Sequence, residues 1–275
     1  MATITAQDVN KLRQITGAGM MDCKKALTEA DGNIDEAIEF LRKQGQKVSE
    51  KRADRETTEG AVVVKVSADS KTGYAIALGC ETDFVAKNAE FVTLANEIAD
   101  VVVANNLGSA EATLAANFKD GRSISDNLVD YIGKIGEKIE ILKVVKVESA
   151  SVVSYSHSNN KLGVLVGLSA TGAEEAGKDV AMQIAAMNPI ALNKEAVDAV
   201  TIERELAIGR ELALAEGKPE AIVDKIAQGK LTKYFKDNTL LEQDFVKDGS
   251  KTVAQMLESV QKGLTVTSFE RVAIG

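Results

Sequence analysis

Apolar residues follow two rhythms along this chain, and the rhythms alternate in blocks. Near the start, Val9, Leu12 and Ile15 recur at helical spacing behind Thr5, whose hydroxyl suits an N-cap. Thr16-Gly17-Ala18-Gly19 breaks this pattern, and a second helix carries Met21, Lys24, Lys25, Ala26 and Leu27 as far as Asp31-Gly32. Asn33, with Glu36 three residues on, opens a third helix that turns Ile34, Ala37, Ile38 and Leu41 inward, and Gly45 is expected to end it. Three short helices make a marginal unit, better suited to an interaction surface than to a catalytic pocket. Residues 46–59 are highly charged and read as an exposed linker that can be helical.

The rhythm then changes to strands. Residues 61–66 and 73–79 are β-prone runs around Asp69-Ser70-Lys71-Thr72, a hairpin turn. A short connection, 82–88, leads to Asn88, a credible cap for a helix burying Phe91, Leu94, Ala95, Ile98, Val101 and Val102. Residues 105–121 are less distinct, with Leu114 and Phe118 placed to share a helical face. Residues 125–135 are helical, with Leu128, Val129 and Ile132 inside. Gly133 and Gly136 bracket Lys134-Ile135, where the backbone can adopt or approach something a larger residue would prevent. Strand signal returns at 141–147, 151–155 and 162–168, with His157-Ser158-Asn159-Asn160-Lys161 as the last turn, and a helix follows at 177–187. Hairpin, connection and helix thus occur twice, at 61–105 and 151–188. Gly73-Tyr74-Ala75-Ile76-Ala77-Leu78 has the pattern of Leu162-Gly163-Val164-Leu165-Val166-Gly167.

Two long helices come next. Residues 195–214 carry Val197, Val200, Leu206, Ala213 and Leu214, and residues 219–235 carry Ile222, Ile226, Ala227, Leu231 and Tyr234. The turn Glu216-Gly217-Lys218-Pro219 makes them an antiparallel hairpin that can self-associate or simply project. Phe245 lies in the return to the body, 252–260 is a helix, and 264–272 is a closing strand, which makes the hairpin an insertion. The expected class is α+β: a small three-helix N-terminal domain, duplicated α+β core subdomains with antiparallel strands, and a protruding antiparallel helical hairpin. The division runs 1–45 for the three-helix domain, 46–59 for the linker, 60–140 and 141–190 for the two core subdomains, 191–238 for the hairpin as a coiled coil, and 239–275 for the return to the second core subdomain.

Composition narrows the function. Among 275 residues there are seven Phe and no Trp, so each Phe is informative, and the formal net charge of -8 argues against a phosphate-binding surface without excluding a local basic patch. Cys23 and Cys80 support neither a disulfide framework nor a zinc site. No basic leader followed by an apolar stretch opens the chain and no run approaches membrane-spanning length, so the expected place is the cytoplasm. Nucleotide fingerprints are absent, and His157 is the sole histidine, which leaves no relay or metal cluster. In its polar turn His157 is either an exposed turn residue or a contact. Met20-Met21 cannot both face inward on a helix, so one is expected to pack and one to offer an adaptable contact.

The connection Cys80-Glu81-Thr82-Asp83-Phe84-Val85-Ala86-Lys87-Asn88 holds the sharpest ambiguity. Phe84 either plugs the local core, with Asp83 favoured at a helix N-terminus, or stands out as a wedge for a partner. The corresponding stretch of the second repeat, 169–174, has no aromatic, so Phe84 is an addition to the scaffold.

Leu12-Arg13-Gln14-Ile15-Thr16-Gly17-Ala18-Gly19-Met20-Met21-Asp22-Cys23-Lys24-Lys25-Ala26-Leu27 resembles the N-terminal signature of the bacterial translation elongation factor Ts family, and Thr82-Asp83-Phe84-Val85-Ala86-Lys87-Asn88 resembles its second signature. The resemblance runs through nearly the whole chain. It implies a guanine nucleotide exchange factor, without a cofactor, whose partner is elongation factor Tu, a translational GTPase. It places Arg13, Met20 and Met21 at contact positions of the N-terminal unit, and Asp83 and Phe84, flanked by Thr82 and Val85, beside the nucleotide and magnesium site. Ile135 and Gly136 match a further contact segment, and His157 matches a histidine near the insertion, in a turn that differs. The hairpin matches the family's dimerisation or arm module. Some members continue past the core with a C-terminal helix that touches the GTPase; here the sequence runs to Gly275, so that contact is expected to be absent or replaced. Neither direct nucleic-acid binding nor a membrane is implied. Two rival classes remain: a nucleic-acid module, which needs a basic stripe, and a coiled-coil scaffold, which leaves Asp83-Phe84 unexplained.

Overall fold

A computed structural model describes residues 3–275. Helices α1 (Ala6–Thr16), α2 (Met20–Glu29) and α3 (Ile34–Lys51) open the chain. Thr5 and Asp8 cap α1 reciprocally: each side chain accepts the other's backbone N–H. Asn33 caps α3 through its side-chain oxygen. Leu12, Cys23, Ala26, Leu27 and Ala37 are buried between the three helices.

Strands β1 (Glu59–Val66) and β2 (Thr72–Cys80) form an antiparallel hairpin. They are followed by the single turn α4 (Asp83–Ala86), then α5 (Ala89–Ala104), α6 (Ala110–Ala115), α7 (Ile124–Ile135) and β3 (Ile139–Glu148). The second part of the chain runs β4 (Ser151–Ser156), β5 (Leu162–Leu168), α8 (Glu174–Met187), α9 (Ala199–Ala215), α10 (Glu220–Asn238), β6 (Asp244–Phe245), β7 (Asp248–Thr252), α11 (Val253–Val260) and β8 (Val266–Ala273). Two three-stranded antiparallel sheets result, in the orders β1-β2-β3 and β4-β5-β8.

The sheets face each other, and helices cover their outer faces. Val62, Ala75, Ala77 and Val147 of one sheet meet Val152, Leu165 and Val272 of the other. The alternate residues of β2, Ile76 and Leu78, point outward onto Phe91, Leu94 and Ile98 of α5 and Leu128 and Ile132 of α7. Val164, Val166 and Leu168 of β5 meet Val180 and Ile184 of α8 and Val253 and Leu257 of α11. Because both faces of the middle strands are covered, β2 and β5 read as continuous apolar runs rather than as alternations.

The two halves repeat one hydrogen-bond pattern. Ser70 and Asn160 take the same left-handed position in their hairpin turns, at φ 58° and 55°. Asp69 accepts from the Lys71 amide as Asn159 does from the Lys161 amide. Both central strands carry a register shift at matching places, Ala77/Leu78 and Gly167/Leu168. The turns also lock the sheets together: the Val152 amide donates to the Ser70 carbonyl at 2.6 Å and the Val62 amide to the Asn160 carbonyl at 2.7 Å. This pairing corrects the sequence alignment by one residue, since Gly73 opposes Val66 as Gly163 opposes Ser156. Gly73 therefore corresponds to Gly163 and not to Leu162.

Other expectations also need correction. Helix α3 does not stop at Gly45 but runs to Lys51, into the expected linker. Gly45 is buried where α3 crosses α7, and a Cβ on Gly133 would stand 2.7 Å from its Cα. These glycines serve close approach, not a cap. Gly136, by contrast, ends α7 at φ 79°. On α5, Ala99 is buried and Val101 half-buried. Leu114 lies on α6 and Phe118 beyond its end, and both pack against the first core without sharing a helix. On α9 and α10 the buried residues are Gly209, Ala213, Val223, Ala227 and Leu231, while Val200, Leu214 and Ile222 are exposed. A Cβ on Gly209 would lie 3.0 Å from the Ala227 Cα, so small residues set that contact in place of the larger ones expected. The polar β6–β7 hairpin carries no strand signal in the sequence. The expected closing strand is β8, and the structure pairs it with β5.

Candidate functional site

The site grows from the end of the β2–β3 ladder. Cys80 pairs with Ile139, and beyond that point the two backbones part. Two carboxylates then continue the connection. Glu81 accepts the Lys138 amide at 2.6 Å and the Arg52 guanidinium at 2.8 and 2.9 Å. Glu137 accepts the Thr82 amide at 3.0 Å and the Thr82 hydroxyl at 2.7 Å. Burial works against the Glu81 charge, but the Lys138 amide and Arg52 outweigh it and hold its carboxyl below the ordinary range. Cys80 beneath them is buried, and its thiol donates to the Thr82 carbonyl. Burial first, then the Glu137 and Glu59 charges, push that thiol up to about 12, so it stays neutral and inert.

Thr82 is extended, at φ -123° and ψ 155°, and caps α4. Three residues of this turn point in different directions. Val85 packs half-buried against the first core. Phe84 is 84% exposed. Asp83 accepts the Lys87 ammonium at 2.6 Å, which holds its carboxyl below the ordinary range and raises the lysine.

Helix α4 is a ridge between two open grooves. Phe84 and Val85 line one with Arg13, Met20, Lys134 and Ile135. Asp83 and Lys87 line the other with Glu59, Asn159, Asn160 and Lys161. Lys134 joins the walls of the first groove, pairing with Glu90 and lying against Gly17.

The structure thus brings Arg13, Met20, Phe84, Val85 and Ile135 to one groove, with Gly136 at its edge as the left-handed end of α7. Thr82 lies under the ridge as its anchor. Asp83 faces the opposite groove, which the residues after His157 also line; the His157 Nδ1 lies 2.9 Å from the Tyr155 hydroxyl. Met21 is 77% exposed but does not line the groove, and Met20 is 56% exposed. Neither methionine packs inward, which corrects the expectation that one would: Cys23, Ala26 and Leu27 fill the inner face of α2. Sequence reasoning missed Glu81, Glu137, Arg52 and Lys87. Glu81, Lys87 and Glu137 were signalled only by adjacency to the two contact segments, and Arg52, inside the expected linker, carried no signal, because acidic and basic residues at this density look like any solvated surface.

The polar groups under the ridge are spent on holding backbone, and among the described residues no group of His, Cys, Asp and Glu could hold a metal ion. No described helix is long and apolar enough to cross a membrane. What the site presents is an aromatic ring and a carboxylate on a fixed turn. Fold and site together define a protein-contact module built on a two-sheet α+β body.

Comparisons with known proteins supply the family. The model of the family described as Elongation factor TS matches residues 81–275. The chain is 54% identical over 277 aligned positions to Elongation factor Ts of Cytophaga hutchinsonii, and 55% identical over 277 to that of Flavobacterium psychrophilum, covering the full length of both chains in each case. The corresponding protein of Chlorobaculum parvum is 42% identical, again across both full lengths. The chain belongs to the elongation factor Ts family.

Proposed function

We propose that this chain is a guanine nucleotide exchange factor that binds elongation factor Tu and accelerates its GDP release during translation elongation. The observation that carries the reading is Phe84, a large apolar side chain left open to solvent on a turn anchored from both sides. A core plug would be covered, and a dispensable surface residue would not need such anchoring.

Such a protein performs no covalent chemistry and is not an enzyme. GDP is held on a GTPase by Mg²⁺ and by backbone donors around its phosphates. A factor that binds the nucleotide-free form better than the loaded form weakens GDP by the same factor through linkage. In this reading Phe84 enters beside the nucleotide and magnesium site and separates packed elements there, and Asp83 leaves Lys87 to accept a donor exposed by that shift. Arg13, Met20 and Met21 of the N-terminal unit dock alongside, as do Ile135 and Gly136. His157 reaches the same partner from the second half. The division into a three-helix unit, two core subdomains and an inserted hairpin belongs to the same proposal. So do the coiled-coil character of α9 and α10, their self-association through exposed Val200, Ile208 and Leu212, and the cytoplasm as the place of action.

The test is GDP release from elongation factor Tu, followed by fluorescent GDP, with and without this protein. Acceleration supports the reading, and an unchanged release rate refutes it. Sedimentation over a range of concentrations decides self-association.

A further inference from the structure

We infer that Glu137 is a positioning residue for exchange: together with Glu81 it locks α4 to the end of α7, so that Phe84 and Ile135-Gly136 meet the partner as one rigid edge. The inference rests on the exchange reading above and deepens it.

The argument starts where the ladder ends. Past the Cys80–Ile139 pair, the chain must leave the sheet to form α4, so the opposite carbonyls no longer meet the next amides. Each side then lends a carboxylate to the other's backbone. Glu81 receives the Lys138 amide, and Glu137 receives the Thr82 amide and hydroxyl. Bonds to an ionised acceptor are shorter and stronger than neutral ones. Two crossing bonds of this kind leave α4 little freedom relative to residues 135–138.

The second half of the molecule provides the contrast. There the ladder closes at Leu168, which matches Leu78, and just beyond it the Ser169 amide donates to the Thr265 carbonyl and the Thr265 amide to the Ser169 hydroxyl. No carboxylate takes part in that pair of bonds. At Gly172, which matches Thr82, the amide donates to the Glu174 carboxylate at 3.2 Å, two residues on in the same connection and not across to the other flank. Residues 169–173 lead to α8 with no turn like α4. A carboxylate clamp that crosses from one flank to the other therefore occurs in the half that carries α4, and it serves the presentation of that turn. A scaffold requirement would appear in both halves.

Exchange makes a specific demand on such a clamp. A wedge acts only while held against the resistance of the elements it separates, so slack in α4 weakens the nucleotide-displacing state more than the first encounter. Glu137→Ala is expected to lower the maximal rate of stimulated GDP release about tenfold, the scale of one lost bond to a charged group. The half-saturating concentration should stay within about twofold. Glu137→Gln still accepts from the Thr82 amide and can donate to its hydroxyl, so it should recover most of the rate. Thr82→Ala probes the same contact from the other side, and the double variant should be no slower than the slower single one. In the free protein, hydrogen exchange should quicken at the Ala86 and Lys87 amides, which bond to the Thr82 and Asp83 carbonyls at 3.1 and 3.0 Å, and stay unchanged in β5. A maximal rate untouched by Glu137→Ala overturns the inference, as does a Gln variant as slow as the Ala variant. If Glu137→Ala does not fold, Thr82→Ala decides by the same readings. If the wild-type protein fails to accelerate release at all, the exchange reading falls, and hydrogen exchange at α4 alone then upholds or overturns the clamp.

Discussion

Replacing Phe84 by alanine separates the work of the ring from the stability of the fold. A phenylalanine side chain buries roughly 200 Å² when fully covered, and Phe84 is 84% exposed, so about 170 Å² remains open to burial on a partner. At ~25 cal/mol per Å² that area is worth about 4 kcal/mol. Only the share realised in the nucleotide-displacing state speeds release. If half is realised there, about 2 kcal/mol, the Phe84→Ala factor should stimulate release roughly thirty-fold less at saturation. Association at the encounter stage should change much less. The free protein loses almost no packing, so its melting temperature should stay within about 2 °C of wild type. Stopped-flow release of fluorescent GDP measures the first effect and a thermal melt the second. A saturating rate within twofold of wild type would refute the wedge. A large drop in melting temperature would instead mean that the ring is part of the core.

Three further outcomes follow from the same geometry. Asp83→Ala should slow stimulated release in the same direction but less, about tenfold, and stopped-flow release at matched saturation makes the comparison. The Cys80 thiol has a folded value of about 12 against an ordinary value of 9.0; its contribution is fully present below pH 9 and is lost as pH rises towards 12. Urea unfolding between pH 8 and 10.5 should therefore show a stability loss of up to ~2 kcal/mol that Cys80→Ala removes, and identical slopes in the two proteins would contradict it. Gly133→Ala gains helix propensity of about 1 kcal/mol but drives a Cβ to 2.7 Å from the Gly45 Cα. Because that obstacle is backbone, the net effect should be a destabilisation of about 1–3 kcal/mol, read from the urea midpoint; a stabilised variant would show that α3 and α7 can separate freely.

Much of the body is legible in the residues because its signals are local. Phe91, Leu94 and Ile98 mark the buried face of α5 by spacing alone, and Asn88 marks its start. The hairpins announce themselves through polar turns between apolar runs, although the left-handed positions at Ser70 and Asn160 emerge only in the structure. Errors arise where one residue type serves two purposes. Gly45 resembles a helix stop, yet it is used for contact with a helix far along the chain, which no local pattern contains. The seam between α9 and α10 is set by Gly209 and Ala227, which carry little hydrophobic signal beside Val200 and Leu214. At the candidate site, Phe84 is conspicuous in a chain poor in aromatics, but its direction depends on Glu81 and Glu137. Their importance lies entirely in which amides they meet across some 55 residues of sequence.

The mutual grip of the two hairpin turns, Ser70 to Val152 and Asn160 to Val62, is the arrangement a two-fold dimer would have, contained here in a single chain. In a true dimer of identical subunits, every insertion appears twice and every protrusion has a twin. Fusion removes that constraint. One half can carry α4 and its exposed ring while the other carries the long α9–α10 pair, and neither has to tolerate the other's addition. The body therefore offers one Phe84 ridge, not two, which under the proposed exchange function means one partner molecule per chain and leaves the opposite half free to diverge.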